Sequence, residues 1–193
     1  MENLVKIVFC GAPSSGKSAS LQRLKITPHP EWHVSKTIEA ASFIMENSEL
    51  HPKSDPYSFQ QVVSLLQLAL ENPVIESNAQ KRHLLLCDRG IADAFVYVGE
   101  KAEGLLHQTV DECLRQYYCV IFFDEYLEND IKSNNAVRYE TKSEIQEIAK
   151  RTLAVWEQHD SFYRIPNFAT LDEKAAHVAQ VLNQILGVDL FYT

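Results

Sequence analysis

The chain has 193 residues, of which 46% are hydrophobic and 23% are charged, a composition typical of a globular protein. This length fits one domain with a core of two or three layers, so we expect a single domain over residues 1–193. The formal net charge of −8 argues against a nucleic-acid partner, because proteins that grip a phosphate backbone usually present clustered lysine and arginine.

The first predicted element is a strand over Leu4–Cys10 that runs into a glycine-rich loop. The loop sequence GAPSSGKS (11–18) matches the phosphate-binding pattern G-x-x-x-x-G-K-S/T without a mismatch. Its two glycines permit backbone angles that turn successive N–H groups toward a phosphate chain. Lys17 would bring a positive charge to the β and γ phosphates of ATP, and the Ser18 hydroxyl would ligate Mg²⁺. The predicted nucleotide-binding residues are Gly11, Ala12, Pro13, Ser14, Ser15, Gly16, Lys17, Ser18 and Ala19.

The rest of the chain alternates helical and strand-like segments. Apolar positions at helical spacing predict helices over Ser18–Lys25, 41–50, 58–73, Ile91–Val98, about 102–117, about 141–162 and 172–186. Short apolar runs predict further strands over Trp32–Ile38, His83–Cys87, Cys119–Phe123 and 168–171. Strands that are apolar on both faces are typical of a parallel sheet covered on two sides. We therefore expect a three-layer α/β/α fold with a five-stranded parallel sheet.

Three further expectations concern the location of the protein, the state of its cysteines and its C-terminal tail. No apolar run reaches membrane-spanning length and the N-terminus enters the first strand directly, so we expect a cytoplasmic protein with no membrane partner. The four cysteines form no C-x-x-C pair, and we expect them to be reduced and structural. The aromatic tail Phe191-Tyr192 is expected to fray.

Two aspartates follow hydrophobic strands, at the edge where ligands collect in sheets of this kind. Asp88 and Asp124 each offer a carboxylate that would hold the water shell of a metal ion. Asp88 is favoured, because Arg89 beside it adds a cation for phosphoryl oxygens. Asp124-Glu125 instead resembles the pair that an ATPase uses to activate water. For either aspartate, a strand-end turn or a helix cap remains the alternative.

A carboxylate and an arginine complete the candidate set. Glu39 follows the second predicted strand, where it would hold an acceptor hydroxyl in line with the γ-phosphate and take its proton. The alternative is an acidic residue in the first turn of a helix. Arg138 lies in a polar segment over about 126–140, and an arginine on such a lid would close over the transferring phosphoryl group. A solvated loop arginine is the alternative.

These motifs resemble the P-loop kinase group, and more narrowly the AAA-labelled family that includes the ribosylnicotinamide kinase domain of NadR-type proteins. The resemblance spans Ile7 to about Leu186. It rests on GAPSSGKS, Glu39-Ala40-Ala41, Phe59-Gln60, CDRG at 87–90 and NAVRYE at 135–140. It implies the P-loop NTPase fold with strand order 2-3-1-4-5.

Deoxynucleoside kinases are similar at several of the same places. This similarity implies that Glu39 is the base, that Gln60 binds the nucleobase, that Asp88 and Arg89 form the acidic-arginine pair, and that Arg138 contacts phosphates. The Gln60 amide is able both to donate to and to accept from a base edge, although an exposed polar residue on its helix is the alternative. Two departures stand out: glycine occupies position 90, where those kinases usually carry serine, and the lid has one arginine rather than a cluster.

The leading hypothesis is an enzyme that transfers a phosphoryl group from Mg-ATP to a hydroxyl of a nucleoside-like molecule, such as nicotinamide riboside or a deoxynucleoside. Its catalytic residues would be Lys17, Glu39, Asp88, Arg89 and Arg138; its substrate residues Glu39, Phe59, Gln60 and Arg89; and its metal ligands Ser18 and Asp88. The alternative is a regulatory ATP-binding switch or slow ATPase. The nearest match to a guanine-reading motif, Thr141-Lys142-Ser143-Glu144, ends in glutamate and opens a helix, which argues against GTP. We expect a monomer or a homodimer.

Overall fold

The computed structural model describes residues 4–73, 81–124 and 141–193. Within them the strands are β1 (Leu4–Gly11), β2 (Lys25–Ile26), β3 (Trp32–Lys36), β4 (Arg82–Asp88), β5 (Cys119–Phe123), β6 (Phe162–Ile165) and β7 (Phe191–Tyr192). The helices are α1 (Lys17–Arg23), α2 (Ala40–Asn47), α3 (Pro56–Glu71), α4 (Asp93–Val98), α5 (Lys101–Leu106), α6 (Val110–Leu114), α7 (Lys142–Trp156) and α8 (Leu171–Leu186).

Five strands form the main sheet in the order β3-β4-β1-β5-β6, and every neighbouring pair is parallel. In sequence order of the five strands this is 2-3-1-4-5, which confirms the predicted topology. β1 lies at the centre, where Val8 pairs with Cys87 on one side and Val120 on the other. The carboxyl ends of β1, β4 and β5 therefore meet at one edge of the sheet, where the loop after β1 begins.

Alternate residues of the central strands enter two separate cores. Ile7 and Phe9 pack with Val178 and Leu182 of α8, whereas Val8 and Cys10 pack with residues of α6 and α7 on the opposite face. Each large apolar side chain that is fully buried contributes roughly 1.5–3 kcal/mol to the free energy of unfolding. These two cores confirm the three-layer α/β/α arrangement. All four cysteines are free and buried, and among the described residues no helix is both long and apolar enough to span a membrane.

The last strand of the sheet lies earlier in the chain than the sequence pattern indicates. The predicted strand at 168–171 is wrong: β6 occupies Phe162–Ile165, and α7 ends at Trp156 instead of continuing to about 162. Thr170 accepts a hydrogen bond from the Glu173 backbone N–H and forms a capping box with that residue. The end of the predicted strand therefore forms the start of α8, where the cap satisfies N–H groups that have no partner within the helix.

The predicted helix over about 102–117 is divided into α5 and α6. His107 adopts φ 53° and ends α5 in a left-handed conformation. Two residues later, Thr109 begins α6 through a capping box with Glu112. A similar box joins Thr141 and Glu144 at the start of α7, which agrees with the expectation that this segment opens a helix.

The C-terminal tail is held in place by a second, two-stranded sheet. Phe191 and Tyr192 pair antiparallel with Ile26 and Lys25, and Phe191 is buried. The Asn183 side chain also accepts from the backbone N–H groups of Leu190 and Phe191. The predicted fraying of this tail is wrong, because its apolar residue finds a place in the core beside α8.

Candidate active site

The glycine-rich loop joins the end of β1 to the start of α1. Its two glycines have positive φ angles, which residues with a side chain rarely adopt. Gly11 has φ 130°, and a Cβ at this position would lie 2.2 Å from the Phe123 carbonyl oxygen. Gly16 precedes α1 with φ 87°. Neither position accepts a side chain without strain, because L-residues rarely adopt these angles. The local motif therefore fixes the path of the loop.

The Lys17 side chain folds back into this loop. Its Nζ atom donates to the carbonyl oxygens of Gly11, at 3.2 Å, and Ala12, at 2.7 Å, and to the Ser15 hydroxyl at 3.2 Å. Burial, followed by the positive charge of Arg89, lowers the pKa of Lys17 to about 7. The ammonium group is thus held inside the loop by two carbonyl oxygens and one hydroxyl, and it is able to pair with an anion that enters the loop.

Asp88 ends β4 directly beside the start of α1. Its carboxylate accepts a hydrogen bond from Ser18, while its Oδ1 atom is buried and has no hydrogen-bond partner among the described residues. Burial and the charge of Glu39 raise the pKa of Asp88 to about 6. An orphaned carboxylate oxygen next to a hydroxyl fits a hard cation such as Mg²⁺, which prefers oxygen ligands.

Asp124, the alternative metal carboxylate, has a partner of its own. Its Oδ1 atom accepts from Arg164 Nη2 at 2.7 Å, across the strand pair β5 and β6. About a third of the Asp124 side chain is exposed, at 32%. An ion pair with Arg164 therefore occupies Asp124, whereas Asp88 Oδ1 has no hydrogen-bond partner within the described part of the chain.

Arg89 connects Glu39 to the glycine-rich loop. Its Nε atom donates to Glu39 Oε1 at 3.3 Å, and its Nη1 atom donates to the Gly11 carbonyl oxygen at 3.2 Å. Glu39 also accepts from the Ser42 hydroxyl at 2.8 Å. Burial opposes ionisation of Glu39, yet the charges of Arg89 and Lys17 and these hydrogen bonds lower its pKa below the ordinary value. Glu39 is therefore a charged carboxylate at neutral pH.

A buried aspartate that the sequence analysis missed completes the surroundings of Arg89. Asp93 Oδ2 accepts from Arg89 Nη1 at 3.4 Å, and Asp93 Oδ1 accepts from the indole N–H of Trp156 at 2.6 Å. Burial alone would lower the pKa of Arg89, but Tyr97, Asp93 and Glu39 together raise it above its ordinary value. The spacing of four residues gives no sequence signal here, because Arg89 lies outside any helix and only the turn between β4 and α4 brings the two side chains together.

The backbone of the loop after β4 is held by a buried polar network. Arg89 adopts φ 74°, an unusual angle for a residue with a side chain. Its N–H donates to the Phe9 carbonyl, and its own carbonyl accepts from Gln67 Nε2 at 2.9 Å. The N–H of Ile91, two residues later, donates to Glu71 Oε1 and to the Tyr117 hydroxyl oxygen. Contacts on both sides thus offset the cost of the strained angle.

Glu71 is the centre of that network and is fully buried. The Tyr117 hydroxyl lies 2.8 and 2.7 Å from its two carboxylate oxygens, and the Lys6 ammonium lies 3.6 Å away. Burial raises the pKa of Glu71 above its ordinary value, against the hydrogen bonds of Gln67 and Tyr117. No sequence pattern marks this residue, since a glutamate at the end of a helix is usually exposed.

The absence of a side chain at Gly90 is explained by the packing of Tyr117 and Trp156 around it. A Cβ there would lie 2.6 Å from the Tyr117 hydroxyl oxygen and 2.7 Å from a ring carbon of Trp156. Contacts under 3.0 Å would force these two large side chains to move. The departure from the serine of deoxynucleoside kinases therefore has a local cause, because this chain fills that space with aromatic rings.

The remaining candidates are not all brought to the same place. Phe59 and Gln60 are both buried in α3, so the alternative of an exposed polar residue at position 60 is wrong. Among the described residues Gln60 bonds only to Ser64, at 3.3 Å. Arg138 and the expected lid over about 126–140 lie outside the described residues. The structure thus brings together Lys17, Ser18, Glu39, Asp88 and Arg89.

Comparison with known proteins agrees with this fold and loop. The family model described as AAA domain matches residues 6–174, which is most of the chain. No curated protein matches the chain. Members of the matching family bind nucleotides through a P-loop on a sheet of this type. The chain therefore belongs to the AAA-domain family of P-loop NTPases.

Proposed function

We propose that the protein is a kinase that transfers the γ-phosphoryl group of Mg-ATP to a hydroxyl group of a nucleoside-like small molecule. One observation carries this proposal: the Glu39 carboxylate is held 3.3 Å from Arg89, which itself contacts the Gly11 carbonyl of the phosphate-binding loop. A charged carboxylate beside a phosphate site suits proton abstraction from an attacking hydroxyl.

The loop and α1 would bind the nucleotide. Backbone N–H groups of residues 11–18 and the Lys17 ammonium would surround the β and γ phosphates, in exchange for the carbonyl contacts that Lys17 now makes. The Ser18 hydroxyl and the free oxygen of Asp88 would hold Mg²⁺, directly or through water. When bound, Mg²⁺ neutralises charge on the phosphate oxygens.

Glu39 and Arg89 would act on the transfer itself. The acceptor oxygen attacks the γ-phosphorus, the bond from that phosphorus to the β-phosphate oxygen breaks, ADP leaves, and the hydroxyl proton passes to Glu39. A positioned base of this kind contributes about 10²–10⁴ in rate. The raised pKa of Arg89 keeps the guanidinium charged throughout, so that it stabilises the negative charge on the phosphoryl oxygens.

Acceptor binding is proposed for α3 and for the lid. Among the residues that the structure describes, the Gln60 amide forms a single hydrogen bond, of 3.3 Å to Ser64 within its own helix, and such a bond is readily exchanged for one to a base edge. The buried ring of Phe59 would pack beside the acceptor, and Arg138 would close over the phosphates. We further expect a cytoplasmic protein with no nucleic-acid partner, active as a monomer or a homodimer.

The experiment is a search for a phosphorylated product. Purified protein is incubated with Mg-ATP and a panel of ribosides and deoxyribosides, and mass spectrometry measures any gain of one phosphate. We expect slow ATP consumption by the protein alone and faster consumption with an acceptor. A lack of phosphorylated product across a broad panel, with steady slow hydrolysis, would instead favour a regulatory ATPase.

Glu39→Gln tests whether Glu39 is the base that takes the proton of the acceptor hydroxyl. We expect this variant to lose at least about 10²-fold in transfer rate, because the amide takes up no proton, while its affinity for Mg-ATP stays nearly unchanged. Glu46→Gln is the control and should keep the wild-type rate, because Glu46 is an exposed residue of α2, the helix that begins directly after Glu39. Retention of the full transfer rate by Glu39→Gln would show that the base is another group.

A further inference from the structure

A second lysine lies buried against the phosphate-binding loop, from the opposite end of the chain. Lys174, in the first turns of α8, is 1% exposed. Its Nζ atom donates to the Ser15 carbonyl oxygen at 3.1 Å and to Asn167 Oδ1 at 3.3 Å. The ammonium also lies 5.9 Å from the centre of the Phe123 ring. The loop therefore receives a charged hydrogen bond from outside as well as the internal bonds of Lys17.

This placement carries an energetic cost. A buried ammonium loses its hydration, and a positive charge near a helix N-terminus opposes the helix dipole. The hydrogen bonds to the Ser15 carbonyl and the Asn167 side chain offset part of this cost. Among hydrogen bonds, those that involve a charged group are the stronger ones, so the Ser15 carbonyl is firmly directed toward α8.

The direction of that carbonyl determines the direction of the next N–H group. A trans peptide is planar, and its C=O and N–H bonds point to opposite sides. When the Ser15 carbonyl points outward to Lys174, the Gly16 N–H therefore points in the opposite direction, away from Lys174 and α8. An N–H group in that position is available to a phosphate oxygen.

The stem of Lys174 restrains the same peptide by packing. A Cβ at Gly16 would lie 3.1 Å from a methyl carbon of Leu171 and 3.7 Å from Cδ of Lys174. Gly16 also has φ 87°, an angle that glycine adopts at little cost. Both the backbone angle and the neighbouring side chains of α8 therefore hold the Ser15-Gly16 peptide in one orientation.

We propose that Lys174 is a positioning residue for phosphate binding: it fixes the Ser15-Gly16 peptide so that the Gly16 N–H faces the nucleotide. This inference rests on the nucleotide-binding part of the proposed function and is independent of the acceptor. It assigns part of the affinity for phosphate groups to a residue far outside the loop motif.

The test compares Mg-ADP with adenosine, which lacks phosphates, by calorimetric titration. For Lys174→Met, which keeps the stem but removes the charge, we expect Mg-ADP to bind about 10- to 100-fold more weakly, as is typical when a charged hydrogen bond is lost. Adenosine affinity should change by less than about twofold, since it does not use the Gly16 N–H. A merely structural role would leave the ratio of the two affinities unchanged.

Lys36→Met is the matched control. Lys36 Nζ also donates to two backbone carbonyls, those of Leu21 and Leu24, but these lie at the far end of α1. This variant should bind Mg-ADP as the wild type does. Equal Mg-ADP affinity of Lys174→Met and wild type would overturn the proposal. If the wild type bound no Mg-ADP at all, the proposed function itself would fail.

A measurement on the wild type covers the case in which Lys174→Met does not fold. Hydrogen exchange of the Gly16 amide, followed by NMR, should slow by at least about tenfold when Mg-ADP is added, because a hydrogen-bonded amide is protected. Unchanged exchange of this amide in the saturated complex would show that the Gly16 N–H does not face the phosphates and would overturn the proposal.

Discussion

Two charged residues in the candidate site have pKa values displaced toward neutrality. Burial lowers the pKa of Lys17 to about 7 and, together with the charge of Glu39, raises the pKa of Asp88 to about 6. Each ionised group therefore costs free energy in the protein without ligand. A phosphate chain near Lys17 and a cation near Asp88 would relieve both costs, which links binding of the two.

Asp88→Asn tests this cost at the level of one residue. The raised pKa means that the folded state takes up a proton more readily than the unfolded chain, so the wild type loses stability as pH rises from about 4 to about 6. A pKa shift of this size changes the free energy of unfolding by roughly 3 kcal/mol at most. We expect the asparagine variant to show no such loss and to be the more stable protein at pH 7.

The measurement is urea unfolding of both proteins between pH 4 and pH 8, without nucleotide or metal. We expect Mg²⁺ to add thermal stabilisation to the nucleotide complex of the wild type, and we expect the variant to lose this addition. A variant less stable than the wild type at pH 7 would contradict the view of Asp88 as a strained, uncompensated carboxylate.

At the scale of elements, the buried Glu71 network joins three of them to the loop that carries Arg89. Gln67 and Glu71 come from α3, Tyr117 follows α6, and Lys6 belongs to β1. The partners in these contacts are distant along the chain, as for Tyr117 and Glu71, which are 46 positions apart. They explain how a residue with a side chain keeps φ 74° at position 89.

Tyr117→Phe tests the network. Removal of the hydroxyl leaves the Glu71 carboxylate without one donor and the Ile91 N–H without one acceptor, so we expect a loss of about 1–3 kcal/mol in the free energy of unfolding. Tyr118→Phe, the exposed neighbour at 54%, is the matched control and should change stability by less than about 0.5 kcal/mol. Equal stability of the two variants in urea would show that the hydroxyl carries no such contribution.

The same elements show what a sequence does and does not reveal. The loop over 11–18 was predictable because its glycines and Lys17 are adjacent in the chain and act through local backbone geometry. The last strand was misplaced because the choice between 162–165 and 168–171 depends on pairing with β5 and on the cap at Thr170. Local propensity contains neither contact.

The side chains that the sequence analysis missed share one property: each has a partner that is distant in sequence. Lys174 is 159 positions from Ser15, and Asp93 is 63 positions from Trp156. In a linear reading each resembles an ordinary helix residue, and only the fold brings it to the site. The order β3-β4-β1-β5-β6 was predicted because the resemblance to P-loop kinases implies it, whereas the apolar strands alone indicate only a parallel sheet.

At the scale of the whole molecule, the sheet places three kinds of group at one edge. The phosphate-binding loop follows β1, the pair Asp88 and Arg89 ends β4, and Glu39 follows β3. The helix α8 supports the loop from one face, and α3 with Tyr117 supports Arg89 from the other. This arrangement gives a rigid frame around a site whose charges are partly uncompensated without ligand.

Every proposal made for this protein depends on nucleotide binding at the loop after β1. Calorimetric titration with Mg-ADP at pH 7 tests that claim most directly. We expect one nucleotide per chain, and we expect Lys17→Met to weaken binding by at least about tenfold, because the ammonium group would no longer pair with the phosphates. Absence of binding to the wild type, or equal affinity in the two proteins, would contradict the account.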